Sequence, residues 1–209
     1  MNIHYFGQKD SDSLLIQPVD EYDLSNIENE IKYIKELTDD KSFYLAAIKT
    51  DNWNSDLSPW PAPPVFGKEG FGGNANATLE FILDLISDYT DRKIYIGGYS
   101  LSGLFSLWAS YTKDVFEGCA ACSPSVWFPN FKDFACNEKI QTKKVYLSLG
   151  DKESKTRNPV MSQVGECITE ICESLISKNV DVTMEWNVGN HFKEPDLRTA
   201  KGFAKLLND

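Results

Sequence analysis

A serine lies at the junction between an apolar segment and a helical segment near the middle of the chain. The sequence there reads Lys93-Ile-Tyr-Ile-Gly-Gly-Tyr-Ser-Leu-Ser-Gly-Leu, so a β-type run leads directly to Ser100 and into a helix. A nucleophilic serine on a strained strand-to-helix turn needs small neighbours, because the two elements approach closely there. Gly98 is small, and Ser102 followed by Gly103 stands where a second glycine is usual. We interpret Ser100 as a candidate nucleophile; the alternative is a glycine-rich turn with an incidental serine.

A serine hydroxyl becomes a good nucleophile only beside a base that is itself held in place. The chain has two histidines, His4 and His191. His191 follows the last predicted strand in Gly189-Asn-His-Phe, whereas His4 precedes the predicted core elements and is expected at the surface. The sequence therefore favours His191 as the general base; the alternative is a structural histidine.

Two carboxylates compete for the acid that would orient this histidine. Gly150-Asp-Lys-Glu follows a predicted strand and lies between the serine and the histidine along the chain, which offers Asp151 and Glu153. Many serine hydrolases place the acid three residues after the glycine that ends this strand, and this spacing favours Glu153. Asp151 is nearer to the strand end and stays an alternative. The carboxylate that is not the acid is expected to cap the turn.

Backbone donors must stabilise the negative charge that develops on a carbonyl oxygen during acyl transfer. The N–H of Leu101 is one candidate, and the second is expected in the loop after the predicted strand 43–49, around Asp51, Asn52 and Trp53. This loop is rich in proline and tryptophan and lies at the sheet edge where open α/β sheets bind ligands. Trp53, Trp60 and Phe66 of this loop either line a substrate pocket or pin the loop to the body, and the same alternatives hold for Trp127 in the later segment Cys-Ser-Pro-Ser-Val-Trp-Phe.

The elements that would position these residues alternate between β-type apolar runs and segments of helical period. Leu24, Ile27, Ile31 and Ile34, for example, fall on one helical face. Such alternation predicts an α/β fold with a mostly parallel central sheet, helices on both faces and no large lid domain, in a single domain over residues 1–209. Strands are predicted over 14–18, 43–49, 93–97, 118–122, 144–149 and 181–187.

Charge and hydropathy restrict the classes of partner. The chain carries 31 acidic and 21 basic residues, a net charge of -10, which argues against a nucleic-acid partner and against binding to an anionic membrane. The first residues show no basic segment followed by an apolar one, and no apolar run is long enough to span a bilayer. We therefore expect a cytoplasmic location.

The cysteines fit the same compartment. The chain has five, an odd number that favours reduced thiols over a disulfide framework. Cys119-x-x-Cys122 has no second pair and no nearby histidine, so burial as small apolar side chains is favoured over a metal or redox site. We expect no metal. The five are Cys119, Cys122, Cys136, Cys167 and Cys172.

Together these motifs resemble the esterase branch of the α/β-hydrolases, the group that contains esterase D-like and enterochelin-esterase-like enzymes. Gly98-Tyr-Ser-Leu-Ser-Gly-Leu-Phe resembles its nucleophile motif, Ser123-Pro-Ser-Val-Trp the motif at the end of the following strand, and Gly189-Asn-His-Phe its base motif. Asp51-Asn-Trp-Asn with Leu57-Ser-Pro-Trp-Pro resembles the oxyanion-side loop of a small bacterial subset. The matches extend from about residue 43 to residue 195.

The resemblance implies an α/β-hydrolase fold and a serine esterase that needs no cofactor and no metal. It assigns Ser100 as the nucleophile, His191 as the base and Glu153 as the acid. The family acts on many esters, so the expected partner is a small acyl ester of unspecified structure. Two other functions stay open: an acyltransferase that uses the same residues, and a catalytically silent α/β-hydrolase that serves as a ligand receptor.

Overall fold

The computed structural model describes residues 1–208, which form nine strands and seven α-helices. The strands are β1 (Asn2–Gly7), β2 (Ser13–Val19), β3 (Tyr44–Lys49), β4 (Pro61–Ala62), β5 (Phe71–Gly72), β6 (Lys93–Tyr99), β7 (Gly118–Cys122), β8 (Lys144–Gly150) and β9 (Asp181–Asn187). The helices are α1 (Glu21–Leu37), α2 (Trp53–Asp56), α3 (Ala75–Ile86), α4 (Leu101–Thr112), α5 (Phe131–Asn137), α6 (Val164–Ser177) and α7 (Pro195–Asn208).

Seven of the strands form one sheet in the order β1-β3-β2-β6-β7-β8-β9. Only the pairing of β1 with β3 is antiparallel, and the other neighbouring pairs are parallel. The mostly parallel sheet predicted from the apolar runs is therefore confirmed, with strand bounds that differ by at most two residues at either end. β1 was not predicted, because four of its six residues are exposed and it carries no buried apolar run.

Helices cover both faces of the sheet, as the sequence predicts. On one face α1 and α7 pack together against the sheet, with Ile34 and Phe203 fully buried. On the other face α3, α4 and α6 contribute apolar side chains such as Leu79, Leu104 and Ile168. Full burial of one such side chain stabilises the fold by about 1.5–3 kcal/mol. No large lid covers the sheet within residues 1–208.

The sheet topology brings three chemically important loops to one edge. β6, β8 and β9 are parallel, so their carboxyl ends lie on the same side of the sheet. Ser100 directly follows β6, while Glu153 and His191 lie three and four residues beyond the ends of β8 and β9. Crossing a membrane would require a longer and more apolar helix than any in residues 1–208.

Candidate active site

Ser100 lies on a sharp turn between β6 and α4. Its backbone has φ 57° and ψ -120°, a strained conformation for a residue with a side chain. A side chain at Gly98 would collide with the hydroxyl of Ser102, which explains why glycine occupies this position. The turn thus has the features of a nucleophile elbow.

Ser102 replaces the usual second glycine without loosening this turn. Its hydroxyl is fully buried and donates a hydrogen bond to the carbonyl oxygen of Pro18 at 2.7 Å. The close helix–strand approach occurs one residue later, where a Cβ on Gly103 would lie 2.9 Å from the carbonyl oxygen of Gly98. The serine that stands in place of the usual glycine is therefore accommodated, because its hydroxyl has a hydrogen-bond partner in the core.

Three side chains meet in a continuous line of hydrogen bonds. Ser100 Oγ lies 3.0 Å from His191 Nε2, and His191 Nδ1 lies 2.7 Å from Glu153 Oε2. An ionised carboxylate accepts only, so the proton between Glu153 and His191 belongs to Nδ1. In the neutral imidazole Nε2 is then the unprotonated nitrogen, and it accepts from the hydroxyl of Ser100.

Glu153 is buried and receives four hydrogen bonds. Besides His191, its Oε1 accepts from the N–H of Gly150 at 2.7 Å, Ser123 Oγ at 2.7 Å and Arg198 Nη1 at 3.0 Å. Burial alone would raise the pKa of this carboxyl, but the bonds from His191, Ser123 and Gly150 hold the pKa below its ordinary value. Glu153 is therefore ionised, as a group that orients a histidine must be.

Two residues of this network were missed at the sequence level. Arg198 of α7 is almost fully buried and donates through Nη1 to Glu153 and to the hydroxyl of Tyr99 at 3.1 Å. Tyr99 in turn donates to the backbone oxygen of His191 at 2.8 Å. Burial and the charge of Glu153 raise the pKa of Tyr99, so its hydroxyl keeps the proton that it donates. Arg198 lies near the start of an amphipathic helix, and no local motif marks it.

Asp151, the alternative acid, has a different partner. Its Oδ1 accepts a hydrogen bond from the N–H of Gly189 at 2.7 Å, and its own N–H donates to the carbonyl oxygen of Asn187 at 2.8 Å. These bonds join the loop after β8 to the loop that carries His191. Asp151 thus contacts the backbone, whereas Glu153 contacts the imidazole.

The residues of the predicted oxyanion region differ in their hydrogen bonds. The N–H of Asn52 donates to Asp56 Oδ2 at 2.9 Å, and the Asn52 side chain caps α2 by accepting from the N–H of Ser55. The N–H and the side-chain oxygen of Asn52 are therefore both used in hydrogen bonds to nearby residues of α2. The N–H groups of Trp53 and Leu101 have no acceptor within residues 1–208, and both residues line the cavity that contains Ser100.

This cavity has a volume of about 340 Å³ and a mainly apolar lining. Trp53, Phe66 and Trp127 line it as the sequence suggested, together with residues that the sequence did not single out: Phe71, Met161 and Phe192. Trp60 is not part of this lining. Its indole N–H donates to the carbonyl oxygen of Pro129 at 3.0 Å and its ring packs on Phe128, so it pins the loop to the body.

A second depression opens on another side of Ser100 and His191, with Tyr99, Phe192 and Pro195 in its wall. It also contains two carboxylates from the start of α1, those of Asp20 and Asp23. Burial, followed by the charge of Asp20, raises the pKa of Asp23 to about 7. Ser100 and His191 are therefore accessible from an apolar side and from a more polar side.

The cysteine side chains do not line the cavity beside Ser100, although the carbonyl oxygen of Cys122 accepts a hydrogen bond from the N–H of Ser100 at 3.1 Å. All five are free, and Cys119 and Cys122 are buried in β7. Burial raises the pKa of Cys119 to about 12, which keeps its thiol protonated and unreactive at neutral pH. Within residues 1–208, no group of three or more His, Cys, Asp or Glu side chains is arranged to hold a metal ion.

Comparison with known proteins gives matches at the level of structure alone. Neither a protein-family model nor a curated protein matches the sequence. The solved structure of an IroE-like serine hydrolase from Shewanella oneidensis superposes with a TM-score of 0.74 at 14% identity, covering 97% of this chain and 74% of that one. Fluorophosphonate-binding serine hydrolase F from Staphylococcus aureus gives a TM-score of 0.66 at 13% identity and covers 100% and 99% of the two chains.

The enterobactin esterase FES from Shigella flexneri gives a TM-score of 0.67 at 14% identity; this chain aligns over 98% of its own length and 54% of that enzyme. At these identities the comparisons establish the fold. The protein has the α/β-hydrolase fold. Its structural neighbours include an enterobactin esterase.

Proposed function

We propose that this protein is a serine esterase that hydrolyses small acyl esters through an acyl-enzyme on Ser100. The observation that carries the proposal is the hydrogen-bonded line from Ser100 to His191 and Glu153, with distances of 3.0 and 2.7 Å. A strained turn supports Ser100, and a buried carboxylate supports His191. The serine-hydrolase structural neighbours favour the same class of reaction.

Acylation begins when an ester carbonyl enters the cavity beside Ser100. His191 Nε2 takes the hydroxyl proton as Oγ attacks the carbonyl carbon, and Glu153 stabilises the imidazolium that results. The N–H groups of Leu101 and Trp53 are free to donate to the oxyanion. The carbonyl then re-forms, the alcohol leaves with the proton from His191, and the acyl group stays on Ser100.

Deacylation repeats these steps with water as the nucleophile. His191 accepts a proton from the water, which attacks the acyl carbon, and the resulting imidazolium protonates Ser100 as the acid is released. The same donors stabilise the second oxyanion. An acyltransferase would differ only in replacing water with an acceptor alcohol or amine at this step.

The cavity indicates which acyl groups fit. Its lining is mostly aromatic, and its volume of about 340 Å³ accommodates a short or medium apolar acyl group rather than a polymer. The absence of a large lid within residues 1–208 leaves the site open to water-borne esters. We therefore assign a small-molecule ester with an apolar acyl group as the substrate class.

The test is covalent labelling combined with turnover. Wild-type protein should be labelled by a fluorophosphonate and should hydrolyse p-nitrophenyl esters from acetyl to octanoyl, with Ser100→Ala lacking both activities. Loss of such a nucleophile lowers kcat by roughly 10⁴- to 10⁶-fold. Ser110→Ala is the matched control, because it removes a buried hydroxyl that bonds to the carbonyl oxygen of Ser106 within α4 and does not line the cavity beside Ser100.

Each outcome separates the candidate functions. A wild-type protein that is neither labelled nor active on any of these esters would overturn the esterase proposal and favour a silent receptor. Labelling with turnover that appears only when an acceptor alcohol is added would favour the acyltransferase.

A further inference from the structure

Ser125 lies beside the nucleophile although it belongs to neither β6 nor the loops after β8 and β9. It follows β7 in the segment Ser123-Pro-Ser and is 2% exposed. Its N–H donates to the carbonyl oxygen of Ser100 at 3.0 Å, and its Oγ lies 3.3 Å from Ser100 Oγ. Ser125, Ser100 and Leu101 line the same apolar cavity.

The direction of the hydrogen bond between the two hydroxyls follows from the rest of the line. Because His191 Nε2 accepts the proton of Ser100, that proton is not available to Ser125. The 3.3 Å contact is therefore one in which Ser125 donates to Ser100 Oγ. No other acceptor for this hydroxyl exists in residues 1–208, so its O–H points at the reacting oxygen.

We infer that the Ser125 hydroxyl is a side-chain donor to the oxyanion, in addition to the backbone N–H groups. The inference rests on the proposed esterase function. As the Ser100 Oγ–carbon bond forms, the Ser100 proton passes to His191 and the carbonyl π electrons become a lone pair on the carbonyl oxygen. That oxygen shares its carbon with Ser100 Oγ and gains the charge that a donor favours. Ser125 shifts its hydrogen bond to it and keeps its own proton throughout.

Burial makes this donor effective. An oxyanion donor acts when it lies about 2.7–3.1 Å from the charged oxygen and is held there before the reaction. The N–H of Ser125 is bonded to the nucleophile's own carbonyl, which fixes the position of the hydroxyl relative to Ser100. The loose ground-state contact at 3.3 Å leaves room for a shorter bond in the tetrahedral intermediate.

The experiment compares Ser125→Ala, Ser125→Cys and Ser125→Thr with wild-type protein and with Ser110→Ala. For each we would measure kcat, KM on p-nitrophenyl butyrate, the thermal midpoint, and the inhibition constant of an alkyl boronic acid, which forms a tetrahedral adduct with the active serine. Ser125→Cys places a thiol, which is slightly larger and only a weak donor, where the hydroxyl was. Ser125→Thr keeps the hydroxyl.

Loss of one oxyanion donor lowers kcat by roughly 10²-fold or more. We expect this loss in Ser125→Ala and Ser125→Cys with KM little changed, a parallel loss of boronic-acid affinity, and recovery of most of the rate in Ser125→Thr. The added methyl group could unfold Ser125→Thr at this buried position. In that case the rates of Ser125→Ala and Ser125→Cys, together with their boronic-acid affinities, still test the inference.

Other outcomes overturn the inference. Ser125→Ala with kcat within twofold of wild type, a change confined to KM, or Ser125→Cys at wild-type rate would each mean that the hydroxyl does not bind the oxyanion. If wild-type protein itself hydrolyses none of the esters and escapes the fluorophosphonate, the proposed function fails, and that result is distinct from a silent Ser125 substitution in an active enzyme.

Discussion

Glu153 and Arg198 form a buried ion pair directly behind His191. Their nearest charged atoms are 3.0 Å apart, and the two side chains are only 3% and 2% exposed. Glu153 thus divides its two oxygens between a cation from α7 and the imidazole of His191. The last helix of the chain is in this way joined to the line that ends at Ser100.

Replacing Arg198 with methionine should strongly destabilise the protein, because Glu153 would stay buried without its cation. Breaking one side of a buried pair costs about 3–5 kcal/mol, and we expect a loss of this size in the free energy of unfolding by urea. Lys201→Met is the control: its partner Glu185 is about one-third exposed, and exposed pairs contribute roughly 0–1 kcal/mol. Equal losses in the two variants would contradict the assignment.

The two acidic residues after β8 should respond differently to conversion to amides. Glu153→Gln should lower kcat by roughly 10²- to 10⁴-fold with little change in KM, since it removes the charge that stabilises the imidazolium. Asp151→Asn should keep most of the rate, because Asp151 bonds to the backbone of Gly189 and not to the imidazole. Steady-state kinetics on one ester decides, and the reverse ranking would transfer the role of acid to Asp151.

The aromatic residues of the long loop should divide into two groups by their effect on selectivity. Phe66→Ala removes a half-exposed wall of the cavity and should lower the ratio of kcat/KM for hexanoyl to acetyl esters by roughly tenfold, in line with the value of a lost apolar contact. Trp60→Phe removes a hydrogen bond to Pro129 and should cost about 1 kcal/mol of stability while leaving the ratio unchanged. The division would be contradicted if Trp60→Phe changed the ratio of kcat/KM for hexanoyl to acetyl esters while Phe66→Ala did not.

Stability should decrease as pH rises from about 4 to about 7, owing to Asp23. In the folded protein burial raises the pKa of Asp23 to about 7, compared with an ordinary value of 3.8. Between these two values the folded state binds more protons than the unfolded state, so deprotonation favours unfolding as pH rises.

The measurement is the thermal midpoint at pH 5 and pH 7.5. Asp23→Asn should reduce the difference between the two values, and Asp84→Asn, at an exposed position of α3, should leave it as in wild type. An unchanged difference in Asp23→Asn would show that other groups cause the slope.

The sequence predicts what depends on local patterns. Apolar runs predict the six parallel strands, and strand-to-turn motifs single out Ser100 and His191 and narrow the acid to Glu153 or Asp151. The edge strand β1 is not predicted by these patterns, because an exposed strand lacks a buried apolar run. Asn52 was a candidate oxyanion donor, but its N–H and side chain are used to fix α2.

Contacts between residues that are distant in sequence are harder to predict. Arg198 and Glu153 are 45 residues apart, and Ser125 and Ser100 are 25 apart. Each pair depends on how a helix or a strand end packs against its neighbour. No spacing rule in a single sequence encodes these contacts. The contacts of Arg198 and Ser125 can therefore be recognised only in the folded structure.

The three parallel strands that deliver Ser100, Glu153 and His191 also determine when this arrangement can arise. β9 joins the sheet only through β8, and α7, which supplies Arg198, comes after β9 at the end of the chain. A partly folded or truncated chain that lacks this final unit also lacks His191 and Arg198. Contacts between distant segments form late because their closure entropy must be overcome first. Recovery of hydrolysis during refolding would therefore mark completion of the last docking step, later than the recovery of helix content.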